Sequence, residues 1–327
     1  MVIMDLIDKI SACAPWLMAA AIAFAAFAVA YDRRRKYKQA AVKFASAARA
    51  HGVIFGKKGG RLAYSPENSE GHIGVFSASG TGKTSAVGIP TLRRWQGTSF
   101  VVDISGDICR NCPNMPHKLV FEPDNSSTIP YNIFAPIDAL KSSEDKNEAL
   151  EQLAYLLMPE PPQLNENARF FLLNGRKILT ASLIAFYGDG MDFIPICTKI
   201  ASSSWVDLFL AIDATGNQDA QMYINSFQGA SEQNTAGCKQ SCDDALKLFA
   251  TNAHIKRSVR RPMSAENAVE PRKIEENNLF VVVTEDKLAL YSPLLNVISS
   301  QIMQYIGTRQ ITSNSSTILL FLDEFGS

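Results

Sequence analysis

The sequence predicts an α/β fold: a mostly parallel sheet, interrupted by an all-α block and preceded by one membrane-spanning helix. Three observations predict it. Short apolar runs at 74–76, 100–104, 119–121, 279–283 and 317–322 read as strands, the longer ones as strands buried on both faces. Between the third and fourth runs, residues 137 to 265 lose this texture and take up helical periodicity. Ahead of everything, Ile10 to Tyr31 forms a stretch without a charge.

That first stretch, as a helix, covers roughly 33 Å and can cross a bilayer. Trp16 and Tyr31 stand where interfacial aromatics belong, and Arg33-Arg34-Arg35-Lys36 follows at once. The basic cluster predicts that the N-terminus lies outside and everything after residue 32 in the cytoplasm, a single-pass membrane protein. A cleaved signal peptide is the competing reading, since Ala28-Val29-Ala30 has the small-x-small form, but the basic n-region is absent. Residues 32 to 50 read as a juxtamembrane helical extension. From Val53 to Ser77, short apolar stretches alternate with Gly and Pro, which predicts β structure.

Ser77-Ala78-Ser79-Gly80-Thr81-Gly82-Lys83-Thr84 then has the form of a phosphate-binding loop, with Ser85 opening the helix behind it. Such a loop works because a tight turn aims backbone N–H groups at phosphates beside a helix N-terminus. Gly74-Val75-Phe76 is the expected strand into the loop, and Ser85 to Arg94 the helix out of it. Gly80 and Gly82 supply positive-φ freedom. Lys83 is expected to reach the β- and γ-phosphates, and Thr84 to hold Mg²⁺. Ser77 replaces the first glycine of the usual pattern, so a plain Gly/Ser-rich turn is the rival reading. The second half of the site answers it. Thr317 to Leu322 is a continuous apolar run, and Asp323-Glu324 follow at its carboxyl end, where ligands sit in open α/β sheets. Asp323 is expected to position the metal and Glu324 to polarise the attacking water. Together the halves predict a P-loop NTPase, RecA-like, using ATP and Mg²⁺.

Within the helical block, Ser142-Ser143 predicts a cap for a helix whose Leu150, Leu153, Leu156 and Leu157 share a face. Ala168 to Tyr187 and Ser231 to Thr251 are further helices. The predicted division is 1–31 tail and membrane helix, 32–50 basic segment, 51–136 first part of the nucleotide-binding domain, 137–265 all-α insertion, and 266–327 its second part.

Composition narrows the classes. The 327 residues are 46% hydrophobic with zero formal net charge, so a nucleic-acid surface must be a local patch. Six scattered cysteines suit a reducing compartment rather than a secreted disulfide framework. Cys109, Cys112, Cys238 and Cys242 form a conceivable four-thiolate zinc set, but free thiols are the expectation.

From Gly52 onward the chain resembles the type IV secretion system coupling proteins, membrane-anchored ATPases that feed DNA or protein into secretion channels. The resemblance rests on an ordered set: Gly80-Thr81-Gly82-Lys83, Ile89-Pro90-Thr91-Leu92, Trp95, Gly97-Thr98, Val101-Val102-Asp103, Tyr131-Asn132-Ile133-Phe134, Ala168-Arg169-Phe170-Phe171, Pro271-Arg272-Lys273-Ile274, Ser292-Pro293-Leu294-Leu295 and Asp323-Glu324-Phe325-Gly326. It implies a homo-hexamer in the intact protein and substrates that are relaxase-bound single-stranded DNA or effector proteins. It also implies partners among the inner-membrane components of the secretion system. The departures are Ser77, Ser105 where a lysine is common, Asp107 near the place of its acidic partner, and one membrane helix where two are common. The rival functions are a septal-type duplex DNA translocase and a non-catalytic adaptor. Because the sequence stops at Ser327, the expectation is an incomplete motor: weakly stable, largely monomeric or aggregated, and nearly inactive as an ATPase.

Overall fold

The computed structural model describes residues 42–67, 71–78, 80–263, 266–312 and 315–323. The anchor 10–31, the basic cluster 33–36, Ser79 and Glu324 lie outside them. Among the described residues no helix is long and apolar enough to cross a membrane. The chain divides after Gln96 into two compact units.

The first unit is built on a small antiparallel sheet of β1 (Lys43–Ala45), β2 (Gly52–Lys58) and β3 (Arg61–Pro66), in the order β1-β3-β2. The hairpin closes at Gly59-Gly60, both with positive φ, as a two-residue turn matched to strand twist requires. β1 overturns the expected juxtamembrane helix for the described part of 32–50. Lys43 to Ala45 pair with Leu62 to Tyr64 of β3, and this ladder claims backbone groups a helix would need. After the loop, the chain is helical from Lys83 to Leu92, first as a wide π turn over Thr84–Gly88 and then as α1 (Ile89–Leu92). Pro90 has no N–H to give back to a carbonyl four residues earlier, which suits the widened turn before it. Ile54 and Leu92 are buried, and the Ile54 N–H donates to Thr91 Oγ1 at 3.0 Å, fixing this helix to the hairpin.

The second unit holds a four-stranded sheet. β4 (Thr98–Asp103) leads to the short α2 (Asp107–Asn111) and β5 (Lys118–Phe121). Among the described residues eight α-helices then intervene: α3 (Ala135–Asp138), α4 (Ser143–Leu157), α5 (Glu166–Gly188), α6 (Phe193–Ser202), α7 (Trp205–Ala214), α8 (Gln218–Asn225), α9 (Glu232–Thr251) and α10 (Ala253–Ser258). β6 (Asn278–Val282), α11 (Leu288–Thr308) and β7 (Ile318–Leu322) complete it. The order is β5-β6-β4-β7, every pair parallel. The helix starts follow side-chain chemistry. Ser142, Asn165, Ser204, Asn217 and Ser231 each accept the backbone N–H of the third residue of the helix they cap. Leu150, Leu153 and Leu157 are buried as expected, with Leu156 partly so.

One continuous core joins this block to the sheet. Phe100, Phe121, Leu279 and Val281 on one sheet face belong with Phe134, Phe193 and Phe249 among the helices and with Leu294 and Ile298 of α11. Cys197 and Cys242 are buried in it as small hydrophobes, and burial pushes the Cys242 thiol up to about 12. Among the described residues no group of three or more His, Cys, Asp or Glu gathers to hold a metal.

The block enters and leaves the sheet through a three-stranded neck. Tyr131 N–H donates to Ser258 O at 2.9 Å and Arg260 N–H to Tyr131 O at 3.1 Å. On the other side Val269 N–H donates to Pro130 O at 2.9 Å and Asn132 N–H to Val269 O at 3.3 Å. The Tyr131 hydroxyl donates to Gln301 Oε1 at 2.7 Å, and Gln301 Nε2 to Ile133 O at 2.9 Å, tying the neck to α11.

Two strand expectations need correction. Gly74-Val75-Phe76 is not a strand: among the described residues 71–78 pairs with nothing in its unit, and Phe76 is 95% exposed. A strand exists only by its ladder, and the small sheet offers it none. β7 is half-buried rather than buried on both faces, with Leu322 43% exposed. Among the described residues it bonds only to β4, so its outer side lacks a neighbour.

Candidate functional site

The predicted site residues fall in both units: Ser77 to Ser85 in the first, Asp323 in the second. In the loop, Gly80 and Gly82 have φ of 73° and 87°, left-handed values that cost an L side chain about 1–2 kcal/mol. A Cβ on Gly82 would also come within 3.1 Å of Ser85 Oγ. Side chains brace the curve. Ser77 Oγ bonds Thr81 Oγ1, Thr81 Oγ1 donates to Ala78 O at 2.7 Å, and Ser85 Oγ donates to Gly82 O at 3.2 Å. Lys83 opens the helix and folds its ammonium back over its own loop, donating to Ser77 O at 3.0 Å and Ala78 O at 3.5 Å. Thr84 follows as the first residue of the π turn. The loop therefore combines two left-handed glycines, a helix start and a lysine cation within eight residues, which is an arrangement for an anion.

At the carboxyl edge of the second unit's sheet, β4 lies between β6 and β7. The Asp323 N–H donates to Val102 O at 3.1 Å, continuing the β4–β7 ladder past Leu322 and holding Asp323 at that edge. Asp103 ends β4 beside it and is fully buried. One of its oxygens, Oδ2, accepts the Cys109 N–H at 2.7 Å, while Oδ1 has no partner. Burial pushes the nearby Cys109 thiol up, against the pull of Lys118, whose ammonium donates to Cys109 O at 2.7 Å.

Each unit fits one part of such a ligand by itself: in the first, the left-handed glycines before Lys83 suit a phosphate, and in the second, a buried carboxylate oxygen at the sheet edge that lacks a donor suits a divalent cation with its water. Motif reading marked Asp103 at the end of Val101-Val102-Asp103 but gave it no part in the site. Its signal was present, since Phe100-Val101-Val102-Asp103 repeats the apolar-run-then-aspartate form of Phe321-Leu322-Asp323.

Comparison with solved structures agrees with this architecture. The plasmid coupling protein TrwB in complex with the non-hydrolysable ATP analogue ADPNP superposes with a TM-score of 0.57 at 17% identity, over 76% of this chain and 55% of that one. TrwB in complex with ADP and Mg²⁺ gives 0.54 at 16%, over 75% and 54%. The unbound monoclinic form of the bacterial conjugative coupling protein TrwBdeltaN70 gives 0.55 at 16%, over 75% and 53%. The chain thus spans about half the length of these structures, and the likeness establishes the α/β P-loop NTPase fold. No curated protein matches the sequence. A family model for conjugative DNA transfer by the type IV secretory system matches residues 30–327, and the chain belongs to that family.

Proposed function

We propose that this chain is the nucleotide-binding part of a membrane-anchored coupling ATPase, which passes a relaxase-bound single strand or an effector protein into a type IV secretion channel. The observation that carries the reading is the loop: Gly80 and Gly82 left-handed, Lys83 at the helix start, in a chain of the conjugative-transfer family. Bound ATP–Mg²⁺ would supply a phosphoanhydride bond and a Lewis acid to polarise it. Backbone N–H groups of Ser77 to Thr84 would cradle the phosphates, and Lys83 would neutralise their charge. The Thr84 hydroxyl and the Asp323 carboxylate would hold the metal. Glu324 would orient and deprotonate a water. The same reading places the segment 10–31 in the inner membrane with the bulk of the chain in the cytoplasm, the protein working as a hexamer beside the channel's inner-membrane components.

An ATPase assay on the full chain tests it. Lys83→Ala should lower turnover at least ~100-fold, as loss of one donor to developing phosphate charge does elsewhere. Glu324→Gln should stop turnover while nucleotide still binds. Turnover unchanged in either variant would sink the role assigned to that residue. Nucleotide binding without turnover in the parent would favour the adaptor.

A further inference from the structure

Four buried side-chain atoms among the described residues lack a hydrogen-bond partner: His51 Nδ1, Thr98 Oγ1, Asp103 Oδ1 and Arg309 Nε. Only the Asp103 oxygen stands at the carboxyl edge of the sheet. A carboxylate oxygen held away from water without a donor is costly, and in native structures such an atom calls for an explanation. Its register partner Val282, Val101 two residues back on the same face, and Ile104 beside it are buried and apolar. Its other oxygen is already used by the Cys109 N–H.

Register says what adjoins it. Val101 pairs with Phe321 in the parallel β4–β7 ladder, and two residues on, Asp103 and Asp323 occupy the next row on the same face. Neighbouring strands lie about 4.8 Å apart, so the two carboxylates end adjacent strands side by side. A divalent cation beside the pair would be attracted by both carboxylates.

We propose that Asp103 is a second acidic member of the divalent-cation site, its free oxygen accepting from water bound to a cation that Asp323 holds. Asp103 is then a positioning residue, acting on the metal through its water shell and using the Cys109 N–H to keep its own carboxylate fixed. Such outer partners govern metal affinity as strongly as many direct ligands do. The proposal rests on the nucleotide reading above for the cation's place in the reaction, but not for the cation's binding.

Titration of the full chain with Mn²⁺, followed by electron paramagnetic resonance with and without ADP, tests it. Asp103→Asn keeps an oxygen for the Cys109 N–H and removes the charge. It should weaken Mn²⁺ binding about tenfold or more, with Asp103→Glu recovering part of the loss. ADP affinity in EDTA should stay at the parent's value, and the unfolding temperature in EDTA should not fall below the parent's, because the variant loses an uncompensated buried charge. Unchanged Mn²⁺ affinity in Asp103→Asn overturns the proposal, as does a parent that binds no Mn²⁺ in either condition. So does a loss of Mn²⁺ that merely tracks a fall in unfolding temperature. Mn²⁺ binding that depends on Asp103, together with ADP binding indifferent to Lys83→Ala, would keep this proposal and sink the nucleotide site instead.

Discussion

Tyr131→Phe removes one oxygen from the place where the helical block joins the sheet. Tyr131 is fully buried and Gln301 is 6% exposed, so water cannot replace the lost donor. The ring stays packed against Phe121, 5.9 Å between centroids, and the volume hardly changes. What changes is that Gln301 Oε1 loses its 2.7 Å bond and becomes a buried acceptor without a partner. Leaving a group so costs about 1–3 kcal/mol. For a unit of this size about 2 kcal/mol corresponds to a fall of about 4–8 °C in unfolding temperature. Burial pushes the Tyr131 phenol well above its ordinary 10.0, so the hydroxyl stays protonated and the loss should be the same at every pH near neutrality. Circular dichroism melts and urea titrations of the two proteins measure it. Adding Gln301→Leu to Tyr131→Phe should cost less than the sum of the single changes, because neither partner is then left alone. A Tyr131→Phe protein within about 0.5 kcal/mol of the parent, or strict additivity in the pair, would refute the reasoning.

Three further outcomes follow from particular residues. Gly80→Ala must adopt a left-handed φ of 73° at a strain of about 1–2 kcal/mol, and where the free loop relaxes out of that conformation the strain appears as about 5- to 30-fold weaker nucleotide binding, measurable by equilibrium titration; unchanged affinity would show that the loop carries the same strain free and bound. Burial alone would raise the Asp138 carboxyl, but hydrogen bonds from Arg261 and Tyr187 outweigh it and hold it below the ordinary 3.8. Its stabilising contribution is therefore complete above pH 3.8 and disappears as pH falls through the lowered value, so the stability gap to Asp138→Asn should be constant above that pH and close below it. Protease added to intact spheroplasts should spare the chain beyond residue 32, and digestion of the large domain there would overturn the topology.

Much of the second unit was legible because its strands are continuous apolar runs. Phe100 to Val102 and Leu279 to Val282 could satisfy their side chains only between two covering layers, and they form the middle of the sheet. The helices at 143–157, 166–188 and 232–251 announced themselves by capping residues and spacing. Lys43 to Ala45 was misread because its local composition suits a helix, whereas its structure comes from a partner twenty residues away in β3. The neck at Tyr131 was visible as a motif but not as a structure, since its ladder joins residues more than a hundred positions apart. In the candidate site, glycine geometry followed from the spacing of Gly80, Gly82 and Lys83. Asp103 did not, because its distinction is a missing hydrogen bond, a property that exists only after folding.

The central claim is that the loop from Ser77 to Ser85 binds nucleoside triphosphate through Lys83. Equilibrium titration of the full chain with a fluorescent ATP analogue and Mg²⁺, parent against Lys83→Ala, tests it most directly. The account predicts saturable binding by the parent and a loss of about 10- to 150-fold in the variant, the size expected when a charged hydrogen bond to phosphate is removed. Equal binding by the two proteins, or no saturable binding by the parent, would contradict it.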